Sequence, residues 1–164
     1  MNPVVIFLTA LLPLVIGFVW YNPKVFGTAW MKASGVTPEM AAKSNMVKTF
    51  SLTYFFSLML TIMLYFLVIH QSHLMSIVMN EPDAANPASE AGKWFADSMA
   101  RYGGNFRTFK HGMLHGTISG ILLAFPITGV AALFEMKSAK YIFINAGFWV
   151  VCMMLMGGFI CQFG

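Results

Sequence analysis

The chain has 164 residues, of which 58% are hydrophobic and 10% charged, with a net charge of +4 at pH 7. That is more apolar surface than a soluble domain of this length covers with polar groups, so the composition excludes an ordinary water-soluble globule and points to a lipid bilayer. The basic residues are spread along the chain rather than gathered into one patch, which argues against nucleic acid as a partner.

The first apolar run, 3–21, carries no charge and is close to the roughly 20 residues a transmembrane helix needs. It has no basic region before it and no Ala-x-Ala cleavage pattern, so it reads as a retained anchor and not a secretory signal. Pro13 lies inside it and should kink it. Trp20, Tyr21 and Trp30 suit the headgroup level.

The first loop, 22–49, divides into two helical pieces. One runs from Val25 to Ala33 and ends at Gly35; the second is capped by Thr37-Pro38 and is expected to run straight into the next span.

The second span, 50–70, has a hydroxyl stripe at Thr49, Thr53, Ser57 and Thr61, one residue every four. It ends on His70 and His73. The second loop, 71–110, contains the pair Asn86-Pro87, which resembles an N-cap with proline at the first helical position, and a stop at Gly103-Gly104. Between them, Trp94, Phe95, Met99 and Tyr102 face away from Glu90, Lys93, Asp97 and Arg101. That pattern predicts a short amphipathic helix over Ala88 to Tyr102, lying on the membrane surface.

The third span, 111–134, begins with "HGMLHGTISG". Gly112, Gly116, Gly120, Ala124, Thr128 and Ala132 recur every four residues and form one small-residue stripe. In lipid, close approach across small residues is a main source of helix association. The expected partner is the stripe of Thr53, Ser57 and Thr61 on the second span, with a second subunit as the alternative. Pro126 should kink this span too.

After the short loop 135–140, the fourth span covers 141–163. Glu135 is expected to pair with Lys137, Lys140 or a lysine of the first loop, and Asn145 to hydrogen-bond between helices. Gly157-Gly158 offers another point of close packing. Cys152 and Cys161 lie nine residues apart on one helix, too far to bridge, and read as packing residues.

Together these elements predict an all-α, four-helix transmembrane bundle forming a single domain, 1–164, with an interfacial helix between the second and third spans. Loops one and three hold six Lys and Arg against four in loop two. The positive-inside rule therefore places 22–49 and 135–140 in the cytoplasm and 71–110 outside.

Several segments carry a resemblance: "GFVWYNPKVFGTAWMKASG", "HGMLHGTISGILLAFP", "LFEMKSAKYIFINAGFWVV" and "LMGG". They resemble the DUF1761 family of small bacterial integral membrane proteins, across all four spans; the second loop lies outside the likeness. The resemblance implies a four-helix domain of a bacterial cytoplasmic (inner) membrane and assigns no reaction.

For function, the sequence lacks a Gly-x-Ser-x-Gly elbow, a phosphate-binding glycine loop, a Cys-x-x-Cys pair and a His-Glu-x-x-His motif, so an enzyme is not expected. The favoured reading is a helix-packing protein in contact with membrane lipids that acts through homo-oligomerisation or as an accessory subunit of a membrane complex, without a cofactor. One alternative is an oligomeric channel or transporter, with His115, Glu135 and Asn145 as the intramembrane polar groups available to an ion or proton path. The other is a metal or haem protein. His70 and His73, three apart, and His111 and His115, four apart, all fall at one membrane face, and imidazoles suit Zn(II), Cu(II), Ni(II) or haem iron, with Glu81 or Asp83 as a further possible ligand.

Overall fold

The computed structural model describes residues 2–164, and its regular elements are all helical. Four helices are long and apolar enough to cross a membrane: Pro3–Trp20, Met46–Val68, Phe109–Phe134 and Ala139–Phe163. They form an all-α four-helix bundle in which consecutive spans cross in opposite directions.

Both intramembrane prolines disturb their helices, as their missing N–H requires. The first span starts at the Asn2 cap and runs as Pro3–Thr9, breaks at Ala10 and Leu11, and resumes as Leu12–Trp20 with Pro13 in its opening turn. In the third span a π-turn, Gly120–Ala124, stands immediately ahead of the helix that holds Pro126. The wider turn absorbs the hydrogen bond that Pro126 cannot make.

The first loop is folded in pieces. Asn22 caps a π-turn, Pro23–Gly27, which leads into Thr28–Ser34; that helix stops at Gly35, whose φ of 82° suits a residue without Cβ. Thr37 caps Pro38–Ala42, but this helix does not continue into the second span. Asn45 takes an extended conformation and accepts the Lys48 N–H through its side chain, so a new helix begins at Met46.

The fourth span is the centre of the bundle. In its most apolar 18 residues 44% are buried, against 17–22% in the other spans. Phe148, Cys152, Met153, Met156, Ile160 and Cys161 from this helix pack with Leu64, Val68 and Ile69 at the end of the second span. The other spans give most of their large apolar side chains to the surface, as a chain solvated by lipid does.

The glycine stripe meets the fourth span, not the second. A Cβ on Gly112 would strike the Gly157 carbonyl, one on Gly116 the Met153 carbonyl, and one on Gly120 would stand 2.7 Å from the Val150 Cα. The expected pairing of this stripe with Thr53, Ser57 and Thr61 is therefore corrected. The glycines let the third helix bring its backbone this close, and at Gly112 the partner is itself a glycine, Gly157, so each backbone lies against the other there. Ala132 is buried and Ala124 packs against the core, so the stripe is filled within the chain. Ser57 and Thr61 are fully buried, but the Thr61 hydroxyl donates to its own helix, to the Ser57 carbonyl at 2.7 Å, and Thr53 does the same to Thr49 at 2.8 Å.

In the second loop the amphipathic helix covers Glu90–Tyr102 and packs on the short helix Leu74–Val78. Its cap is Ser89, whose hydroxyl accepts the Gly92 N–H at 3.0 Å, while Asn86 caps only a preceding turn through Ala88 N. Gly103 ends the helix. In the third loop Lys137 donates to the Ser34 carbonyl at 2.7 Å instead of pairing with Glu135, which is exposed.

A candidate metal centre at one membrane face

Three histidines converge where the second span ends and the third begins. The second span stops at Val68, Ile69 turns extended, and a short 3-10 turn, His70–His73, carries the first imidazole across to the third span. Thr108 caps the third span by accepting the His111 N–H, and the α-helical spacing then stacks His111 and His115 on one face.

The rings are in mutual contact. Centroids lie 5.1 Å apart for His70 and His111, 4.8 Å for His70 and His115, and 4.5 Å for His111 and His115. Each residue offers a ring nitrogen such that all three lie within 4.8 Å of one another. The Nε2 atoms of His70 and His111 are 2.9 Å apart, so in this arrangement one donates and the other accepts. His70 is exposed and the other two are half-buried; among the described residues the group contains no carboxylate.

The surroundings hold the cluster in place. Gln71 donates its side-chain amide to the Asn105 carbonyl at 2.8 Å and the Tyr102 carbonyl at 3.3 Å, tying the His70 turn to the end of the amphipathic helix. Phe106 stacks on His111 with centroids 5.0 Å apart and meets His70 edge-on. It holds this position with a φ of 61°, an uncommon conformation for a bulky side chain, and the Cys161 thiol donates to its carbonyl at 3.2 Å. The Phe109 N–H donates to Gln162, and Arg107 to the Gly164 carbonyl, which fixes the start of the third span against the end of the fourth.

His73 does not join the cluster. Its Nε2 lies 2.7 Å from the Phe66 carbonyl, directed back along the second span. The three-residue spacing starts both side chains from one side of the 3-10 turn, but the His73 ring swings to the Phe66 carbonyl while the His70 ring meets the third span. Glu81 and Asp83 are exposed and stand outside the group as well.

Glu135 and Asn145 belong to the opposite end of the bundle. Glu135 lies 20 residues beyond His115 along a transmembrane helix, which at 1.5 Å per residue is roughly 30 Å. The three residues are therefore not brought together at one site. Asn145 instead anchors a structural node. Its Oδ1 accepts from the Tyr21 hydroxyl at 3.0 Å and the Trp30 indole at 3.2 Å, and its amide donates to the Tyr141 carbonyl at 2.8 Å. Trp20 adds a bond to the Ile144 carbonyl at 3.1 Å.

The sequence reading missed Phe106, Gln71 and Asn105 as neighbours of the histidines. The only local sign was the turn signal Gly103-Gly104-Asn105, which marks a change of direction without saying what it faces.

The fold defines a multi-pass α-helical membrane protein. A family model, Protein of unknown function (DUF1761), matches residues 4–161, and the chain belongs to that family. No curated protein and no solved structure matches the chain.

Proposed function

We propose that this is a metal-binding membrane protein that holds one first-row divalent ion at His70, His111 and His115. The observation that carries it is the convergence of three imidazole nitrogens within 4.8 Å, from two separate stretches of chain. A tetrahedral ion bound at 2.0–2.1 Å needs its nitrogen ligands about 3.3 Å from one another, which falls between the 2.9 Å separating the His70 and His111 Nε2 atoms and the 4.8 Å that bounds the group. Soft thiolate ligands are missing from the group and imidazoles fill it, a set that suits Zn(II), Cu(II) or Ni(II). The rings touch one another at 4.5–5.1 Å, which leaves no gap for a haem plane between two axial imidazoles.

The distribution of Lys and Arg supports an orientation with 22–49 and 135–140 in the cytoplasm and 71–110 outside, which would put the centre at the outer face. Labelling of single cysteines introduced at exposed Lys93 and Lys43 with a membrane-impermeant maleimide tests this: position 93 should react in intact cells and position 43 only after permeabilisation.

The metal reading is tested on detergent-purified protein stripped with chelator, then titrated with Zn(II) and assayed for metal after desalting. One retained ion per chain is expected. Retention well below one ion per chain would overturn the reading.

A further inference from the structure

A centre with three protein ligands is incomplete as a structural site. Closed structural zinc sites use four protein ligands, whereas three leave a position for water or an exogenous ligand. Here the residues that would complete the set are withdrawn: His73 is turned to the Phe66 carbonyl, and Glu81 and Asp83 lie outside the group.

The space beside the triad is not filled by the chain. A cleft of about 330 Å³ opens next to it, lined by His70, Gln71, Leu74, Tyr102, Asn105 and Phe106. His70, one of the three histidines, is among its lining residues. Two further sides are held in place, because Gln71 is bonded to the carbonyls of Asn105 and Tyr102 and Phe106 is stacked on His111. The volume is at the low end for small-molecule pockets, so a large organic ligand does not fit.

Charge decides the kind of ligand. Three neutral imidazoles leave the two positive charges of the ion uncompensated, and the group supplies no carboxylate. In a partly dehydrated site a bound cation is the largest local charge and favours an anion beside it. We infer that an ion held by His70, His111 and His115 keeps one coordination position open towards this cleft, and that a small monodentate anion takes that position. This rests on the metal reading and extends it from a bound ion to a ligand-accepting centre.

The test uses Co(II), whose visible d–d bands report coordination, on the full-length protein in detergent. Azide is the probe anion. Azide should shift and intensify the bands saturably, and Asn105→Trp, which narrows the cleft without removing a histidine, should weaken azide binding at least about tenfold while Co(II) loading stays at one ion per chain. Asn105 is exposed, so the substitution leaves the core intact, and retained Co(II) loading itself shows that the triad has formed. A Co(II) spectrum indifferent to azide would overturn the open position and leave metal binding standing. Equal azide affinity in the variant would overturn entry through the cleft. If Co(II) does not bind at all, the metal reading fails and this inference fails with it.

Discussion

Gly116 of the third span lies directly against the Met153 carbonyl of the fourth, with no space for even one methyl group between them. The contact is backbone on backbone, so no flexible side chain can move aside. Gly116→Ala should therefore force the two helices apart and cost about 3 kcal/mol, the upper end of the range for overpacking. Gly129, farther along the same span, is the control: a Cβ there would sit 3.9 Å from Ile142, an ordinary contact. Gly129→Ala should be neutral or stabilise by up to about 1 kcal/mol, since alanine is the better helix former. Reversible unfolding in mixed micelles compares the two, and equal stabilities would disprove tight packing along the stripe.

The spans were legible because lipid imposes a length and a composition that 20-residue apolar runs display directly. The glycine stripe was legible as a contact surface for a similar reason, but not its partner. Thr53, Ser57 and Thr61 repeat with the same four-residue period, and periodicity alone does not rank two candidate stripes. Backbone approach does: a Cβ on Gly112 would strike the Gly157 carbonyl and one on Gly157 the Gly112 carbonyl, a contact that glycine on both helices permits. The metal ligands show the same division. His111 and His115 share a helix face by arithmetic, whereas the meeting of His70 with the third span depends on one residue, Ile69, leaving the helical conformation, and His73 is drawn off to the Phe66 carbonyl. Apolar pattern carries no sign of that exit.

Asn145 joins the first loop to the fourth span through one oxygen that accepts from both Tyr21 and Trp30. Asn145→Leu keeps the volume but strands two donors in a half-buried site, and should cost about 1–3 kcal/mol. Tyr21→Phe removes only one of the bonds and should cost about 0.5–1.5 kcal/mol. The double variant should then lose less than the sum of the two, because both changes break the same bond. Strict additivity in micelle unfolding would show that the node is not a coupled unit.

Ser57 presents the reverse case. Its Oγ is fully buried and, among the described residues, is the one buried side-chain oxygen or nitrogen without a hydrogen-bond partner. An unpaired hydroxyl away from water is a cost, so Ser57→Ala should be neutral or stabilise by up to about 1 kcal/mol. Thr61→Val removes a hydroxyl that is bonded, to the Ser57 carbonyl, and should destabilise by about 0.5–1 kcal/mol. A clear loss of stability in Ser57→Ala would mean that this hydroxyl has a partner after all.

The four histidines divide into three that touch and one that does not, and substitution can read that division. Removing a direct ligand should weaken Zn(II) binding by more than about 100-fold, beyond the 10–100-fold that loss of an outer partner costs. His70→Ala, His111→Ala and His115→Ala should each do so, whereas His73→Ala should bind as the parent does. The same series separates binding from folding. At a free Zn(II) concentration 100 times the dissociation constant, the ion should stabilise the parent by about 2.7 kcal/mol, and that increment should vanish in the three ligand variants while their metal-free stabilities stay near the parent's. His70 is exposed and the other two are half-buried, so truncating them leaves no core cavity to confuse the measurement. A His73→Ala variant as defective as His111→Ala would make His73 a ligand as well and overturn the three-histidine centre.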